Sequence, residues 1–267
     1  MTAADPDPTD PNPDLSALLD LATRGAHAAG AELLARYGRI QGLDTKTSAT
    51  DPVSDADRAA EALLVELITG ERPGDGLLGE EGASRPSSSG LRWVIDPLDG
   101  TVNYLYQLDN FSVSIAVEDA DGALAGVVYN PTIDRTCWAT RGGGAFANGR
   151  RLQVNDPVPM DRALLATGFG YSPERRAAQG ALIAGLLPRV RDIRRIGSAA
   201  LDLCAVATGA VDGYLEEGVK AWDVAAGSLI VREAGGIVTV VTPTGDATGC
   251  LAAGPALHAE LARELDG

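Results

Sequence analysis

An apolar run that ends abruptly in acids constrains this chain more than any other feature: Trp93-Val94-Ile95-Asp96-Pro97-Leu98-Asp99-Gly100-Thr101-Val102-Asn103. Trp-Val-Ile is β-prone, Asp-Pro keeps the backbone extended and Asp-Gly marks a tight turn, so both carboxylates emerge where a strand stops. Acids at such an edge suit a hard cation; magnesium takes oxygen ligands at about 2.0–2.1 Å and usually accompanies phosphate. The amides of a Gly100-Thr101 turn opening a helix suit phosphate oxygens. The plainer alternative is a surface β-turn whose aspartates only favour the bend, and the rest of the chain decides between them.

Composition narrows the classes. With 267 residues and 45% hydrophobic content the chain can bury a large core as one domain or two closely packed halves. The formal charge is −15; residues 1–14 hold four Asp and no Lys or Arg, which leaves about −11 for the remainder. Nucleic-acid binding requires a basic face that the sequence does not display, whereas a cation partner fits the surplus of acid. Acidity also keeps a protein soluble, which explains much of the same charge.

Cys137, Cys204 and Cys250 lie in apolar or small-residue settings, form no CxxC pair, and none is followed six residues later by Arg. They read as buried, reduced thiols, so neither a cysteine-nucleophile phosphatase loop nor a zinc cluster is expected. The two histidines, His27 and His258, fall within amphipathic helical patterns near the chain ends. Residues 1–13 alternate Asp, Pro and Thr with no apolar segment, which predicts a disordered tail rather than a signal peptide. No apolar run approaches the ~18–20 residues that span a bilayer, and reduced thiols agree with a cytoplasmic location.

Asp14 caps a helical pattern that stops near Gly38, and Ser54-Asp55-Ala56-Asp57 resembles a capping box for a helix ending near Gly70. Strands are expected at 77–80, 92–95, 111–119, 123–129 and 134–140, with turns at Asp121-Gly122 and Asn148-Gly149. The half 14–150 therefore reads as two helices against an antiparallel sheet. From 151 to 267 strands near 163–167, 211–215, 236–240 and 250–253 mix with helices near 173–187, 198–208, 222–234 and from 255, a layered α/β pattern. Residues 84–89, Ser-Arg-Pro-Ser-Ser-Ser, read as a mobile loop.

Three further stretches carry candidate chemistry. Leu77-Leu78-Gly79-Glu80-Glu81-Gly82 ends a short apolar run in two acids; it is either a solvated turn or a carboxylate source beside Asp96 and Asp99, provided the two strands are neighbours. Asp223 in Lys220-Ala221-Trp222-Asp223-Val224-Ala225 opens a helix, where it either complements the dipole, worth roughly 0.3–1 kcal/mol, or serves as another ligand. Gly197-Ser198-Ala199-Ala200 is either a Ser-capped helix or an anion-receiving helix start. Asp51, Asp55 and Asp57 beside Lys46 fit capping and solubility, with peripheral metal binding as the alternative.

Gly79-Glu80-Glu81, Asp96-Pro97-Leu98-Asp99-Gly100-Thr101, Gly197-Ser198-Ala199-Ala200 and Trp222-Asp223-Val224-Ala225 resemble, in order and approximate spacing, the motifs of the inositol monophosphatase family of magnesium-dependent, lithium-sensitive phosphatases. The resemblance covers about residues 14–266 and extends to 142–149 and 233–236. It implies an α/β (α+β) layered sandwich of the αβαβα type, commonly a homodimer. It also implies that Glu80, Asp96, the Leu98 carbonyl, Asp99 and Asp223 bind magnesium, two to three ions in all, with Asp57 near a weaker site reached through water.

In the same pattern Glu80, Thr101 and Asp99 are catalytic, Glu80 and Thr101 orienting the nucleophilic water. Asp99, Gly100, Thr101, Gly197, Ser198, Ala199 and Asp223 would hold phosphate or substrate, and Glu216 a polyol hydroxyl. The charge agrees: Glu80, Asp96, Asp99 and Asp223 total −4, which two magnesium ions offset, while a third would neutralise a doubly charged phosphate. Paired cations can stabilise attacking and leaving oxygens without a histidine or cysteine nucleophile.

The implied reaction is hydrolysis of a small-molecule phosphate monoester, myo-inositol phosphate first, with histidinol phosphate, fructose 1,6-bisphosphate and 3′-phosphoadenosine 5′-phosphate as alternatives. Gln107-Leu108-Asp109-Asn110 departs from the family's usual Gly and Pro, and Tyr171 stands where some relatives carry a small polar residue, which leaves substrate preference open. Haloacid-dehalogenase phosphatases separate their two motif acids by one residue, whereas Asp96 and Asp99 are separated by two. A catalytically silent metal-binding or regulatory relative is the non-enzyme alternative.

Overall fold

The computed structural model describes residues 14–39, 55–244 and 248–265, and the backbone of 44–45 and 52–53. The tail at 1–13, Ser54, Lys46 and Asp51 lie outside the described residues. Leu15–Arg36 (α1) starts where the Asp14 carboxylate accepts the amides of Ser16 and Ala17. Asp44–Thr45 (β1) and Pro52–Val53 (β2) pair briefly, and Asp55–Glu71 (α2) follows.

Gly76–Gly79 (β3), Ser84–Arg85 (β4) and Arg92–Asp99 (β5) lead into the short helix Thr101–Leu105 (α3). Ser112–Asp119 (β6), Gly122–Asn130 (β7), Arg135–Thr140 (β8), Gly144–Ala147 (β9) and Arg150–Arg151 (β10) then complete an eight-stranded sheet in the order β10-β9-β8-β7-β6-β5-β3-β4. Leu164–Thr167 (β11), Pro173–Leu186 (α4), Asp192–Arg194 (β12), Ala199–Ala207 (α5), Gly213–Glu217 (β13), Ala221–Glu233 (α6), Ile237–Val241 (β14), Gly249–Ala253 (β15) and Pro255–Leu265 (α7) follow, with a second sheet ordered β12-β11-β13-β15-β14.

Both faces of the first sheet are buried, and their residues differ in size. Trp93, Ile95, Val113, Ile115 and Val117 pack against α1 and α2, while Val94, Ala116 and Val128 meet α5 and α6 on the other face. Small residues on that second face bring α6 close; a methyl group at Gly126 would sit 3.0 Å from the Ala226 Cα. The second sheet covers the far side of α5 and α6, and Leu165, Leu215 and Leu251 on its outer face pack with Leu186 of α4 and Leu257 and Leu261 of α7. The layers are therefore helix, sheet, helix, sheet, helix, as the resemblance implies.

Two expectations change. The first sheet is mixed rather than antiparallel: after β3 the chain runs out to the edge through β4 and returns on the other side of β3, so β5 lies parallel to β3. Residues 84–89 are also tied down rather than loose. Ser84 and Arg85 form β4, the Ser88 amide donates to the Gly74 carbonyl at 2.8 Å, and the Ser89 hydroxyl donates to buried Asp75 at 2.6 Å, which also receives the Trp93 indole N–H at 2.9 Å. Serines that satisfy backbone groups read from sequence as a flexible stretch because their partners lie outside the local window.

The three cysteines are free and buried, as their settings suggest. His27 bonds Thr136 and meets the Tyr129 ring at a tilt, and His258 bonds Thr239, and neither histidine lines the cavity that holds the acids. Among the described residues no helix is long and apolar enough to cross a membrane.

Candidate active site

The parallel pairing of β3 and β5 brings the acids together. Gly79 stands opposite Ile95, and the Glu80 amide donates to the Ile95 carbonyl at 3.3 Å, so Glu80 leaves β3 at the same edge at which Asp96 leaves β5. An antiparallel pair would have sent the two acids to opposite ends. β5 then breaks register with β6 between Asp96 and Asp99, where Pro97 cannot donate to the ladder. Asp96 turns back to accept the Leu98 amide at 3.0 Å, and the Leu98 carbonyl accepts the Thr101 hydroxyl at 3.2 Å.

Gly100 closes this corner with φ +94°, and an added methyl group would lie 2.9 Å from the Asn110 carbonyl oxygen and 3.2 Å from that of Gly197. Only glycine meets both demands. Asn103 locks the corner to the second half of the chain by donating to the carbonyls of Asn110 at 2.6 Å and Ile196 at 2.9 Å.

Asp99 receives the Ser198 hydroxyl at 2.6 Å and the Ala200 amide at 2.7 Å from the start of α5. The helix start read as an anion site thus turns two donors onto a carboxylate of the chain itself, and Ser198 also caps α5 through the Leu201 amide at 3.2 Å. Asp223 is anchored at the start of α6 by the Lys220 amide at 2.6 Å. Asp57 is buried on α2 and accepts the Thr101 hydroxyl at 3.3 Å. Glu216 sits at the end of β13 and accepts the Tyr214 hydroxyl at 2.9 Å.

Glu80, Asp96, Leu98, Asp99, Gly100, Thr101, Gly197, Ala199, Glu216 and Asp223 all line one cavity of about 690 Å³. Ser198 lies beneath its wall, and Asp57 reaches it through Thr101. The sequence reading omitted Glu61, one turn after Asp57, whose carboxylate accepts the amides of Glu81 at 2.8 Å and Ala83 at 2.9 Å and so shapes the turn that presents Glu80. It also omitted Arg175, Arg195 and Lys220, which line the cavity, and Asp202, buried on α5. The i to i+4 spacing of Asp57 and Glu61 was the available signal for the first; single cations, Arg175 on α4 and Arg195 and Lys220 in loops, carry none.

The electrostatics are dominated by burial. Desolvation raises the Asp96 pKa well above the ordinary carboxylate range, and Glu80, Asp99 and Asp223 raise it further. Asp223 is pushed up by burial and then by Asp99. Burial lifts Asp99 to about 6, against the hydrogen bonds from Ser198 and Ala200 that favour its charged form. Glu216 is lifted to about 7 by burial, opposed by its bond from Tyr214.

As the side chains stand, no three acidic, histidine or cysteine side chains among the described residues close into a metal-coordinating cluster. Four carboxylates on one cavity nevertheless form an all-oxygen donor set whose mutual repulsion a hard divalent cation would relieve. The donor chemistry fits magnesium and offers no nitrogen or sulfur ligand suited to softer metals.

Comparison with known proteins agrees with this geometry. Residues 14–267 match the model of the inositol monophosphatase family. The chain is 44% identical over 227 residues to the Nus factor SuhB of Pasteurella multocida, covering 84% of this chain and 85% of that protein. It is 42% identical over 229 residues to the inositol-1-monophosphatase of Mesorhizobium japonicum, again covering 84% and 85%. Its fold superposes on the crystal structure of the extragenic suppressor protein SuhB from Bartonella henselae with a TM-score of 0.86 at 38% identity, covering 93% of this chain and 98% of that one. The chain belongs to the inositol monophosphatase family and is a phosphatase.

Proposed function

We propose that this phosphatase hydrolyses myo-inositol monophosphate to myo-inositol and phosphate, with magnesium and by direct attack of water. The observation that carries the reading is the convergence of Glu80, Asp96, Asp99 and Asp223 on the cavity that also holds Gly100, Thr101 and Glu216. Glu80, Asp96, the Leu98 carbonyl, Asp99 and Asp223 would hold two to three magnesium ions, with Asp57 supporting a weaker site through water. Magnesium, when bound, supplies positive charge to the phosphoryl group and lowers the pKa of water.

The chain's own groups supply orientation. The Thr101 hydroxyl, held between Asp57 and the Leu98 carbonyl, has its proton committed and an oxygen lone pair left to accept from the attacking water. Glu80, on the same sheet edge, takes the water's second hydrogen bond and receives the proton. Asp99, fixed by Ser198 and Ala200, keeps the phosphoryl group in line with that water, and Gly100 lets backbone approach the phosphate without a side chain in the way. Gly197 and Ala199 line the phosphate end, while Glu216 offers a carboxylate to a polyol hydroxyl.

The buried free thiols suit a reducing cytoplasm. We also propose a homodimer, in which the exposed side chains of Tyr106 and Leu108 would be covered.

The experiment is turnover of inositol 1-phosphate against histidinol phosphate, fructose 1,6-bisphosphate and 3′-phosphoadenosine 5′-phosphate, with magnesium, with chelator, and with lithium. Fastest magnesium-dependent, lithium-inhibited release from inositol 1-phosphate is expected. A higher kcat/KM for any of the other three would reassign the substrate, and turnover unchanged by chelator would overturn the metal chemistry. Phosphate trapped covalently on Asp96 would overturn direct attack by water.

A further inference from the structure

A second cavity, of about 560 Å³, lies away from the acids, between the β8–β10 end of the first sheet and the last turn of α5. Its lining contains Arg135, Arg150 and Arg151 and no carboxylate, in a chain whose formal charge is −15. Among the described residues none of the three arginines takes part in an ion pair. We propose that this groove is a binding site for a small organic polyanion, a phosphorylated metabolite carrying more than one phosphate charge.

Strand register explains the cluster. Arg150 pairs with Ala147, which pairs with Cys137, so Arg150 lies on the same face as Arg135, two residues before Cys137. Arg151 lines the groove from the edge strand, with its guanidinium on the opposite face over the Phe146 ring at 5.7 Å, itself stacked on Trp138. A guanidinium held on an aromatic face is partly ordered before a ligand arrives, which lowers the entropy cost of binding. Asn148 is likewise fixed, accepting the Thr136 amide at 2.9 Å and donating to the Asp134 carbonyl at 3.0 Å.

Much of the C-terminal turn of α5 is satisfied without these cations: the Cys204 carbonyl accepts the Thr208 amide, Ala205 those of Ala210 and Val211, and Val206 that of Gly209. Charge and shape then select the occupant. Planar guanidiniums match phosphate oxygens in pairs, and the apolar side chains of Ile133 and Leu152 offer a surface to a carbon skeleton. The volume lies in the small-molecule range of about 300–1,000 Å³. An extended nucleic acid would have to bind a chain whose formal charge is −15, which disfavours it.

The test is calorimetric titration of the full-length protein, free of added metal, with inorganic triphosphate and with ATP. Wild type should bind both, and Arg135→Ala/Arg150→Ala should weaken binding by at least about tenfold, a loss of about 1.4 kcal/mol. Phosphate-monoester turnover should stay at the wild-type rate in that variant, which shows that it folds. Arg195→Ala, in the catalytic cavity, should leave triphosphate binding intact. The proposal is overturned if neither compound binds, if Arg195→Ala abolishes binding while the double variant does not, or if short single-stranded RNA binds in an Arg135- and Arg150-dependent way where triphosphate does not.

Discussion

Thr101 donates its hydroxyl to Asp57 across 3.3 Å, joining the turn after β5 to the first turn of α2. Replacing Thr101 by Val keeps the branched shape and removes the hydroxyl that shares the attacking water with Glu80. A fall in kcat of about a hundredfold is expected, with KM changed only a few-fold. Thr101→Ser should recover most of the rate. Steady-state kinetics with saturating magnesium reads both, and a Val variant with wild-type kcat would remove Thr101 from the mechanism.

Asp99 ties metal binding to pH. Its pKa, about 6 without metal, lies above the ordinary value of 3.8, so its contribution to stability is full below about pH 4 and is lost as pH rises through 6. For Asp99 alone the span is about 3 kcal/mol. Metal-stripped protein should therefore melt at a lower temperature at pH 7.5 than at pH 5.5, other titrations being compared through Asp99→Asn. Added magnesium should raise the melting temperature more at the higher pH, because it binds the ionised form. Differential scanning fluorimetry checks this; a larger magnesium effect at the acid end would contradict it.

Glu216 is crowded from behind by Gly168: a methyl group there would fall 2.0 Å from Glu216 Oε2. That atom ends a flexible side chain, so Gly168→Ala should displace the carboxylate rather than unfold the chain. The expected result is a rise of about tenfold in KM for inositol 1-phosphate, roughly one lost charged hydrogen bond, with the melting temperature little changed. At Gly100 the obstacles are the Asn110 and Gly197 carbonyls and φ is +94°, so Gly100→Ala should lose both stability and activity. A Gly168→Ala enzyme with unchanged KM would separate Glu216 from substrate binding.

Asp202 is 1% exposed, and both of its carboxylate oxygens are buried with no hydrogen-bond partner among the described residues. Burial first, then Glu216 and Asp99, raises its pKa to about 9 against the pull of Arg195, so it is a neutral acid at pH 7. The raised pKa means stability present at low pH and lost as pH rises from about 4 through 9. Asp202→Asn, nearly isosteric and uncharged, should gain up to about 4 kcal/mol at pH 7, and the gain should vanish near pH 4. Urea denaturation at the two pH values measures it; a destabilised Asn variant at pH 7 would show that the acid form makes a bond worth more than the linkage.

Residues that act through their immediate neighbours were legible without coordinates. Asp96-Pro97 and Asp99-Gly100 announce an extended strand ending in a turn, and Asp14 and Ser198 announce helix caps, because turn and cap chemistry acts within three or four residues. Residues 84–89 misread as a mobile loop for the complementary reason: Ser88 and Ser89 bond to Gly74 and Asp75, which are 14 residues away.

What the sequence by itself determined is the set of groups: four acids at element ends, a glycine-threonine corner, thiols that form no CxxC pair, and histidines within helical patterns near the chain ends. Only the tertiary structure decided how they meet. Glu80 stands beside Asp96 because β3 and β5 are parallel, Asp57 reaches the site because Thr101 faces α2, and the donors of Ser198 and Ala200 are committed to Asp99. The same holds for the unpartnered Asp202 and the arginine groove, which no local pattern marks. The physical reason is that strand direction and side-chain partners depend on contacts between distant segments. Local propensity ends with the few residues that share a turn, whereas burial and pairing are properties of the closed chain.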